Sequence, residues 1–394
     1  PSTRRYFKFA EIIGRINKSA SVDDDLSDIY TNSKQRQRCS MRLSCLQENL
    51  ARGLAIVGRA VATRTTLPIT QNILMETDQS RLKLSATNLE LAITTWVGAK
   101  IEEEGSLTIP SRLMTDFVNS LPRETLELQS ISNPIAMSFN CPGFNATING
   151  VDSHEFPPIP SVEDGVTARM DPQILRTAIN KVLIAAATED TRPVLTGVKL
   201  EISGQQITLA AADGFRLAVY KSSLLESVSE ETEAIIPHRT LAELQRMLSD
   251  QEDPVELVVT PSKSQLVVHM KDVELVSQLI QGAFPNYSQL IPQTHATKAV
   301  VNLEKFYGAS RSMAAFARDG GGIVRLHISS GKVTINSNAE ETGKNEGVID
   351  ANVEGEESKI AFSSKYITDV LSVLDRGEVS RQKTQGITEK VFKE

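Results

Sequence analysis

Residues 234–248 read AIIPHRTLAELQRML: a short apolar strand, a polar turn, and then apolar residues at three- and four-residue spacing. This spacing predicts a helix with one apolar face. The same plan occurs at residues 107–121, LTIPSRLMTDFVNSL, and at residues 359–374, KIAFSSKYITDVLSVL. The chain therefore contains a threefold repeat, and the fold must be built from three like units.

Each copy of this strand and helix is preceded by an alternating strand that ends at Asn or Asp, and by a further helix. Leu84, Leu209 and Ile335 occupy equivalent strand positions, 125 and 126 residues apart. A unit of this length is too large for a solenoid repeat and predicts a domain with its own core. The predicted fold class is α+β, three repeated domains, each of two helices packed on antiparallel sheets. The ranges are strands 81–88, 206–213 and 332–339, and helices 46–61, 171–187 and 301–317.

Proline-containing segments close the first two repeats, at Phe156-Pro157 and Phe284-Pro285. Such segments are typical of linkers between domains. A third closing segment would fall beyond the last residue, so we expect an incomplete third domain with an unpaired strand edge and lower stability. The predicted divisions are a disordered extension or upstream sequence at 1–40, domains at 41–160, 161–293 and 294–380, and an atypical polar tail at 381–394.

The composition favours a globular protein outside the membrane. Hydrophobic residues make up 40% of the 394 residues and charged residues 23%, and no apolar run reaches the length of a membrane span. Cys39, Cys45 and Cys141 lack metal-ligand spacing and are too few for a disulfide framework. The sequence therefore predicts no membrane association and a reducing, cytoplasmic location.

Residues 209–220, LAAADGFRLAVY, place an Asp-Gly pair inside an apolar run. Asp213 and Gly214 tolerate the backbone of a tight hairpin turn, and the turn-compatible pairs Thr87-Asn88 and Ser337-Asn338 occupy the matching positions of the other repeats. A catalytic carboxylate would need an acid, base or metal partner nearby, and none recurs. We therefore favour a turn over a catalytic role for Asp213.

Motifs for nucleotide binding, metalloprotease chemistry and serine hydrolysis are absent from the sequence, and the five histidines are scattered. The sequence predicts no catalytic residue, no bound metal and no cofactor.

Basic residues concentrate on the predicted helices. The six helices carry ten basic and six acidic residues, a net charge of +4 in a chain of formal charge -7. Solvated helix faces can carry such charges by chance, but six helices from three like domains favour a surface that meets phosphates without reading bases. The basic residues are Arg52, Arg59, Arg112, Arg176, Lys181, Arg239, Arg246, Lys305, Arg311 and Lys365.

Five segments, in order along the chain, closely resemble the bacterial sliding clamps, the beta subunits of DNA polymerase III. The resemblance implies a head-to-tail homodimer that forms a six-domain ring around duplex DNA, without sequence specificity. It implies a processivity factor and not an enzyme, with the replicative polymerase, the clamp loader and repair proteins as partners. The segments are RTTLPITQNIL (64–74), TEDTRPVLTGVKLE (188–201), AADGFRLAVY (211–220), IIPHRTLAELQRML (235–248) and GAFPNYSQLIP (282–292).

The resemblance also assigns site residues by position. Arg64 and Arg192 match positions near the DNA, beside the helix residues Arg52, Arg59, Arg112, Arg176, Lys181, Arg239 and Arg246. Phe144 and Phe316 match positions where two protomers meet. Phe215 stands where some relatives carry His, and Gln289 where a basic residue is common, so peptide preference is expected to differ. In the family the last closing segment supplies apolar residues to one wall of the pocket, so its absence is expected to weaken peptide binding. The walls of the partner-peptide pocket are Leu195, Ala212, Gly214, Phe215, Arg216, Leu217, Pro285, Gln289 and Leu290.

Two other functions stay open at this stage. The first is a three-domain scaffold that binds peptides without closing a ring or holding DNA. The second is a hydrolase that uses Asp213 and Arg216.

Overall fold

The computed structural model describes residues 40–160, 164–189, 191–291, 294–318, 321–339, 343–375, 378–383 and 390–393. The predicted extension, residues 1–40, lies outside this set apart from Ser40, as does Cys39. The chain divides into two compact units. The first is Pro1–Ser161 with Asp272–Val276, and the second is Val162–Lys271 with Ser277–Glu394.

The first unit holds one copy of the repeat, with two helices and two groups of antiparallel strands. One group runs in the order β5-β1-β7-β8-β9 and the other in the order β4-β3-β2-β6. Helix α1 lies close on the second group, since a Cβ built on its Gly53 would come within 2.6 Å of the Val97 side chain. The elements are β1 Arg42–Leu46, α1 Gln47–Val57, β2 Asn72–Asp78, β3 Arg81–Thr87, β4 Leu91–Gly98, β5 Lys100–Glu103, β6 Ser106–Pro110, α2 Ser111–Ser120, β7 Thr125–Ser132, β8 Ile135–Cys141 and β9 Phe144–Asn149.

The second unit begins with another copy of the same plan. Asp171 caps its first helix by accepting hydrogen bonds from the N–H groups of Gln173 and Ile174, and Pro172 occupies the first helical turn. Strands run in the orders β13-β12-β11-β14 and β10-β15-β16. The elements are β10 Val166–Met170, α3 Pro172–Leu183, β11 Gly197–Ser203, β12 Gln206–Ala212, β13 Leu217–Ser223, β14 Thr232–Pro237, α4 His238–Met247, β15 Val255–Val259 and β16 Gln265–Met270. The next strand, β17 Val273–Gln278, has its first four residues in the first unit and its last two in the second.

The third copy of the repeat completes the second unit. Its helices pack over a sheet with the order β22-β19-β20-β21-β18-β23-β24, and Asn302 caps the first of them through the N–H of Lys305. Phe306, Met313 and Ile335 are among the buried residues of its core. The elements are β18 Thr297–Asn302, α5 Leu303–Ala317, β19 Ile323–Ser329, β20 Lys332–Ala339, β21 Gly343–Gly355, β22 Ser358–Ser363, α6 Ser364–Ser372, β23 Glu378–Lys383 and β24 Lys390–Lys393.

The architecture confirms the predicted fold class, three α+β repeats of two helices on antiparallel strands. Helix limits agree with the predicted ones to within four residues. The first and fourth α-helices end before their predicted limits because their last turns are 3-10, at Gly58–Ala60 and Leu248–Asp250.

Two expectations were wrong. The pair Ser337 and Asn338 forms no turn, because β20 stays paired with β21 up to Ala339. The edge of the third domain is not unpaired either, since β23 pairs with β18 and β24 pairs with β23. Polar side chains do not prevent such pairing, because the backbone N–H and C=O groups of β18 need partners whatever the neighbouring side chains are.

Candidate functional site

The hairpin turn between β12 and β13 is organised by the side chain of Asp213. Its Oδ1 accepts hydrogen bonds from the N–H groups of Phe215 and Arg216, both at 2.9 Å, and Gly214 adopts a φ of 91°. Asn88 makes the same turn in the first repeat, accepting from the N–H groups of Glu90 and Leu91. The turn predicted for Asp213 is therefore confirmed, and its chemistry is that of an Asx turn.

Arg216 is held by two carboxylates and an aromatic ring. Its Nε lies 2.9 Å from Asp213 Oδ2, and a terminal nitrogen lies 2.8 Å from Asp369 Oδ2 on α6. The guanidinium carbon stands 4.4 Å from the centre of the Tyr366 ring, also on α6. Only 19% of the Arg216 side chain is exposed, so this arginine joins the turn to the last helix.

Both oxygens of the Asp213 carboxylate accept hydrogen bonds in these contacts. One oxygen accepts two backbone N–H groups and the other accepts the Arg216 guanidinium. A general base or nucleophile needs a free lone pair directed at a substrate. The geometry therefore gives Asp213 a structural role.

The residues around this turn differ widely in exposure. Phe215 is 85% exposed, whereas Leu195 is buried at 4% in the 3-10 turn Pro193–Thr196 that precedes β11. Ala212 and Leu217, which flank the turn, are half-buried. Exposed Phe215 beside partly covered apolar residues is what a docking surface requires.

The remaining predicted wall residues lie on the segment that follows β17. Pro285, Gln289 and Leu290 are all exposed, Leu290 by 51%. The start of the segment passes close to the turn that carries Leu195, because a Cβ built on Gly282 would lie 2.8 Å from Val194 Cγ1. No hydrogen bond or ion pair found among the described residues joins these three residues directly to the Asp213 turn.

A cluster that sequence reasoning missed holds this segment on the sheet. The Tyr287 hydroxyl donates to Glu201 Oε2 at 2.5 Å, and Lys199 Nζ lies 2.7 Å from the other oxygen of Glu201 and 3.0 Å from Glu233. Burial alone would raise the pKa of Glu201, but the hydrogen bonds from Lys199 and Tyr287 outweigh it and lower that pKa. Burial, followed by the bond to Glu201, raises the pKa of Tyr287. The only signal in the sequence was an aromatic residue inside the closing motif FPNYSQL.

Most of the predicted DNA-facing residues are available to solvent. The Arg112 side chain is 97% exposed, and Arg246, paired with Glu243 at 2.6 Å, is 60% exposed. Lys181 differs: only 12% of its side chain is exposed, and its Nζ lies 2.8 Å from Asp375 and 5.6 Å from the centre of the Tyr220 ring. Arg59 is half-buried, and the exposed members are Arg52, Arg64, Arg112, Arg176, Arg192, Arg239 and Arg246.

The two predicted interface residues lie on different kinds of element. Phe144 is 51% exposed at the start of β9, the last strand of its sheet among the described residues. Phe316 is half-buried on α5. An exposed aromatic on an edge strand suits strand pairing with another chain.

Three further features concern metal sites, membrane spans and clefts. Within the described ranges, no group of three or more His, Cys, Asp and Glu side chains is arranged to hold a metal ion. No helix in that part of the chain is long and apolar enough to cross a membrane. A cleft of about 360 Å³ lies between α5 and α6, and its lining includes Tyr307, Arg311, Arg318, Thr368 and Asp369.

Comparison with known families assigns the repeats in order. Three family models match the chain: the N-terminal domain of the DNA polymerase III beta subunit at residues 41–160, its central domain at 169–286 and its C-terminal domain at 288–390. These limits put one family domain on each repeat.

Comparison with whole proteins supports this assignment. The beta sliding clamp of Synechocystis sp. is 30% identical over 89% of this chain and 95% of its own length. The beta sliding clamp of Bacillus subtilis is 29% identical over 86% of this chain and 92% of its own. A crystal structure of the Bacillus subtilis DNA polymerase sliding clamp superimposes with a TM-score of 0.84 at 29% identity, covering 88% of this chain and 93% of that one. The chain belongs to the DNA polymerase III beta subunit family, the family of the beta sliding clamps.

Proposed function

We propose that two copies of this chain close head to tail into a ring of six domains around duplex DNA, and that the ring keeps the replicative polymerase on its template. The family consists of non-catalytic processivity factors, which makes this chain a processivity factor. The threefold repeat is the observation that supports this proposal, because each copy packs the same pair of helices on the same kind of sheet. A ring holds DNA by topology, so its inner surface needs only weak, sequence-blind attraction for phosphates.

The helices have the charge that such a surface requires. Helices α1 to α6 carry nine basic and five acidic residues, a net charge of +4, in a chain of -7. A strongly basic lining would bind phosphates tightly and slow the ring on DNA. Lys181 is paired with Asp375, so we assign it a contribution to the positive charge of this surface and not a direct phosphate contact. We assign the phosphate contacts to Arg52, Arg59, Arg64, Arg112, Arg176, Arg192, Arg239 and Arg246.

Partner proteins dock on the surface between the Asp213 turn and the segment after β17. Exposed Phe215 and Leu290 supply apolar anchors there, and buried Leu195 supplies the floor. A short peptide binds to such a surface by burying a few apolar side chains. A sliding clamp of Pseudomonas aeruginosa has been crystallised bound to griselimycin, which provides a probe for this surface. The partners would be the polymerase catalytic subunit, the clamp loader and repair proteins, in the cytoplasm of a bacterium.

The ring is tested by the mass of the full chain in solution, measured by light scattering coupled to gel filtration at several concentrations. We expect twice the mass of one chain, and retention on circular DNA that is lost when the DNA is linearised. Phe144→Asp should yield monomers, because it places a charge on the exposed edge of β9. Ile131→Asp, at another exposed apolar residue of the same sheet, should leave the dimer intact.

The two other functions give different results in the same experiments. A scaffold would be a monomer at every concentration and would bind griselimycin without being retained on circular DNA. A hydrolase would lose turnover in Asp213→Asn, whereas a structural Asp213 loses only turn stability. The hydrogen bonds accepted by both carboxylate oxygens of Asp213 favour the structural outcome.

A further inference from the structure

We propose that Tyr287 is the positioning residue of the peptide pocket, because it fixes the segment that carries Pro285, Gln289 and Leu290. This inference rests on the pocket assigned under the proposed function. It concerns a side chain that forms no part of the predicted pocket walls.

The segment 285–290 has few means of its own to keep its shape. Tyr287 is its buried residue, 8% exposed, and the five residues around it are exposed. Its backbone hydrogen bonds are local, for example from Leu290 N–H to Tyr287 C=O at 3.0 Å and from Ser288 N–H to the Asn286 side chain at 3.2 Å. The wall therefore depends on what holds the Tyr287 ring.

Three contacts fix the ring in position and in rotation. The hydroxyl donates to Glu201 on β11, the Lys199 ammonium lies 6.0 Å from the ring centre, and the Phe284 ring packs edge-on at 6.4 Å. A 2.5 Å hydrogen bond from a hydroxyl to a carboxylate belongs to the strong, charge-assisted class. Glu201 is itself held by Lys199, which also pairs with Glu233 on β14.

Without the hydrogen bond from Tyr287 to Glu201, the segment 285–290 would move away from its binding geometry for part of the time. When only a fraction of the protein is competent to bind, the apparent affinity falls by that fraction. No atom that contacts the ligand changes in Tyr287→Phe, so we expect association to slow by about three- to tenfold while dissociation stays near its original rate. Leu290→Ala, which removes a wall contact, should instead speed dissociation.

The experiment uses the full chain, with griselimycin as the probe, and measures association and dissociation rates by surface plasmon resonance. The variants are Tyr287→Phe, Glu201→Ala and their combination, with Glu233→Gln as the control that touches Lys199 but not Tyr287. We expect slower association in each single variant, no further loss in the double variant, and unchanged rates in the control. Hydrogen exchange of residues 282–291 should rise in Tyr287→Phe and fall again at saturating griselimycin.

Glu201→Ala tests the same bond from its other end if Tyr287→Phe fails to fold. Unaltered association in both single variants, or additive losses in the double variant, would overturn the role of Tyr287 while leaving the pocket in place. If the unaltered chain does not bind griselimycin, the proposed pocket fails, and the role of Tyr287 fails with it.

Discussion

Replacing Arg216 with Ala should loosen the last helix of the chain from the turn at Asp213. The guanidinium binds Asp213 and Asp369 at 2.9 and 2.8 Å and lies over the Tyr366 ring at 4.4 Å. A hydrogen bond between charged groups contributes about 1.5–3 kcal/mol, and a cation–π contact about 0.5–2 kcal/mol. These contributions overlap, and the side chain retains 19% exposure, so we expect a loss of roughly 2–4 kcal/mol in the free energy that holds α6 against the turn.

Hydrogen exchange followed by mass spectrometry measures this loss directly, because the amides of α6 exchange through local opening. A loss of 2–4 kcal/mol corresponds to exchange about 30 to 900 times faster. Arg216→Lys should recover only part of the protection, because one ammonium cannot reproduce the fork that serves two carboxylates and a ring.

Arg246→Ala is the matched control. Arg246 pairs with a single carboxylate, Glu243, and its side chain is 60% exposed, so its removal should cost below about 0.5 kcal/mol. Equal protection of α6 in Arg216→Ala and in Arg246→Ala would show that the three contacts of Arg216 do not hold the helix, and the reasoning would be refuted.

Three further changes test other parts of the structure. Gly53→Ala should destabilise the chain by about 1–3 kcal/mol in thermal unfolding, because the added Cβ meets the Val97 side chain. Gly308→Ala in α5, where the added Cβ meets nothing within 4 Å, should instead stabilise the chain by about 0.5–1 kcal/mol. Equal effects of the two changes would contradict the close packing of α1. Phe215→Ala should leave the urea midpoint unchanged, since the ring is 85% exposed, but weaken griselimycin about tenfold, and unchanged binding would remove Phe215 from the pocket. The depressed pKa of Glu201 adds stability above its unfolded pKa of about 4.3, and this stability is lost as the pH falls through the folded value. The urea midpoints of the unaltered chain and of Glu201→Gln should therefore converge as the pH falls below the unfolded pKa of about 4.3, and a constant gap would argue against the role of this carboxylate.

The sequence predicted the elements that depend on local chemistry. Helix periodicity and strand alternation recur three times, and the Asp-Gly pair at 213 carries its own turn geometry, so both could be predicted without knowledge of the fold. The same local reasoning failed at Ser337 and Asn338, where pairing with β21 overrides turn propensity and extends the strand.

Contacts between distant residues could not be predicted in this way. The partners of Arg216 on α6 lie about 150 residues further along the chain, and the partner of Tyr287 lies 86 residues before it. Single charged residues such as Asp369 and Glu201 have no pattern that distinguishes them from other surface acids until the fold places them. The pocket walls came from family resemblance, and the groups that support those walls came from the structure.

The exposed edge of β9 bears on how the protein behaves when it is alone. Among the described residues no strand pairs with the outer edge of β9, which carries the half-exposed Phe144, and such an edge is a template for pairing with another extended chain, including an identical one. A closed ring would cover this edge, so the ring would protect the protein from aggregation as well as hold DNA. At the same total concentration, a variant that keeps this edge but cannot form the dimer should therefore precipitate faster than the unaltered chain.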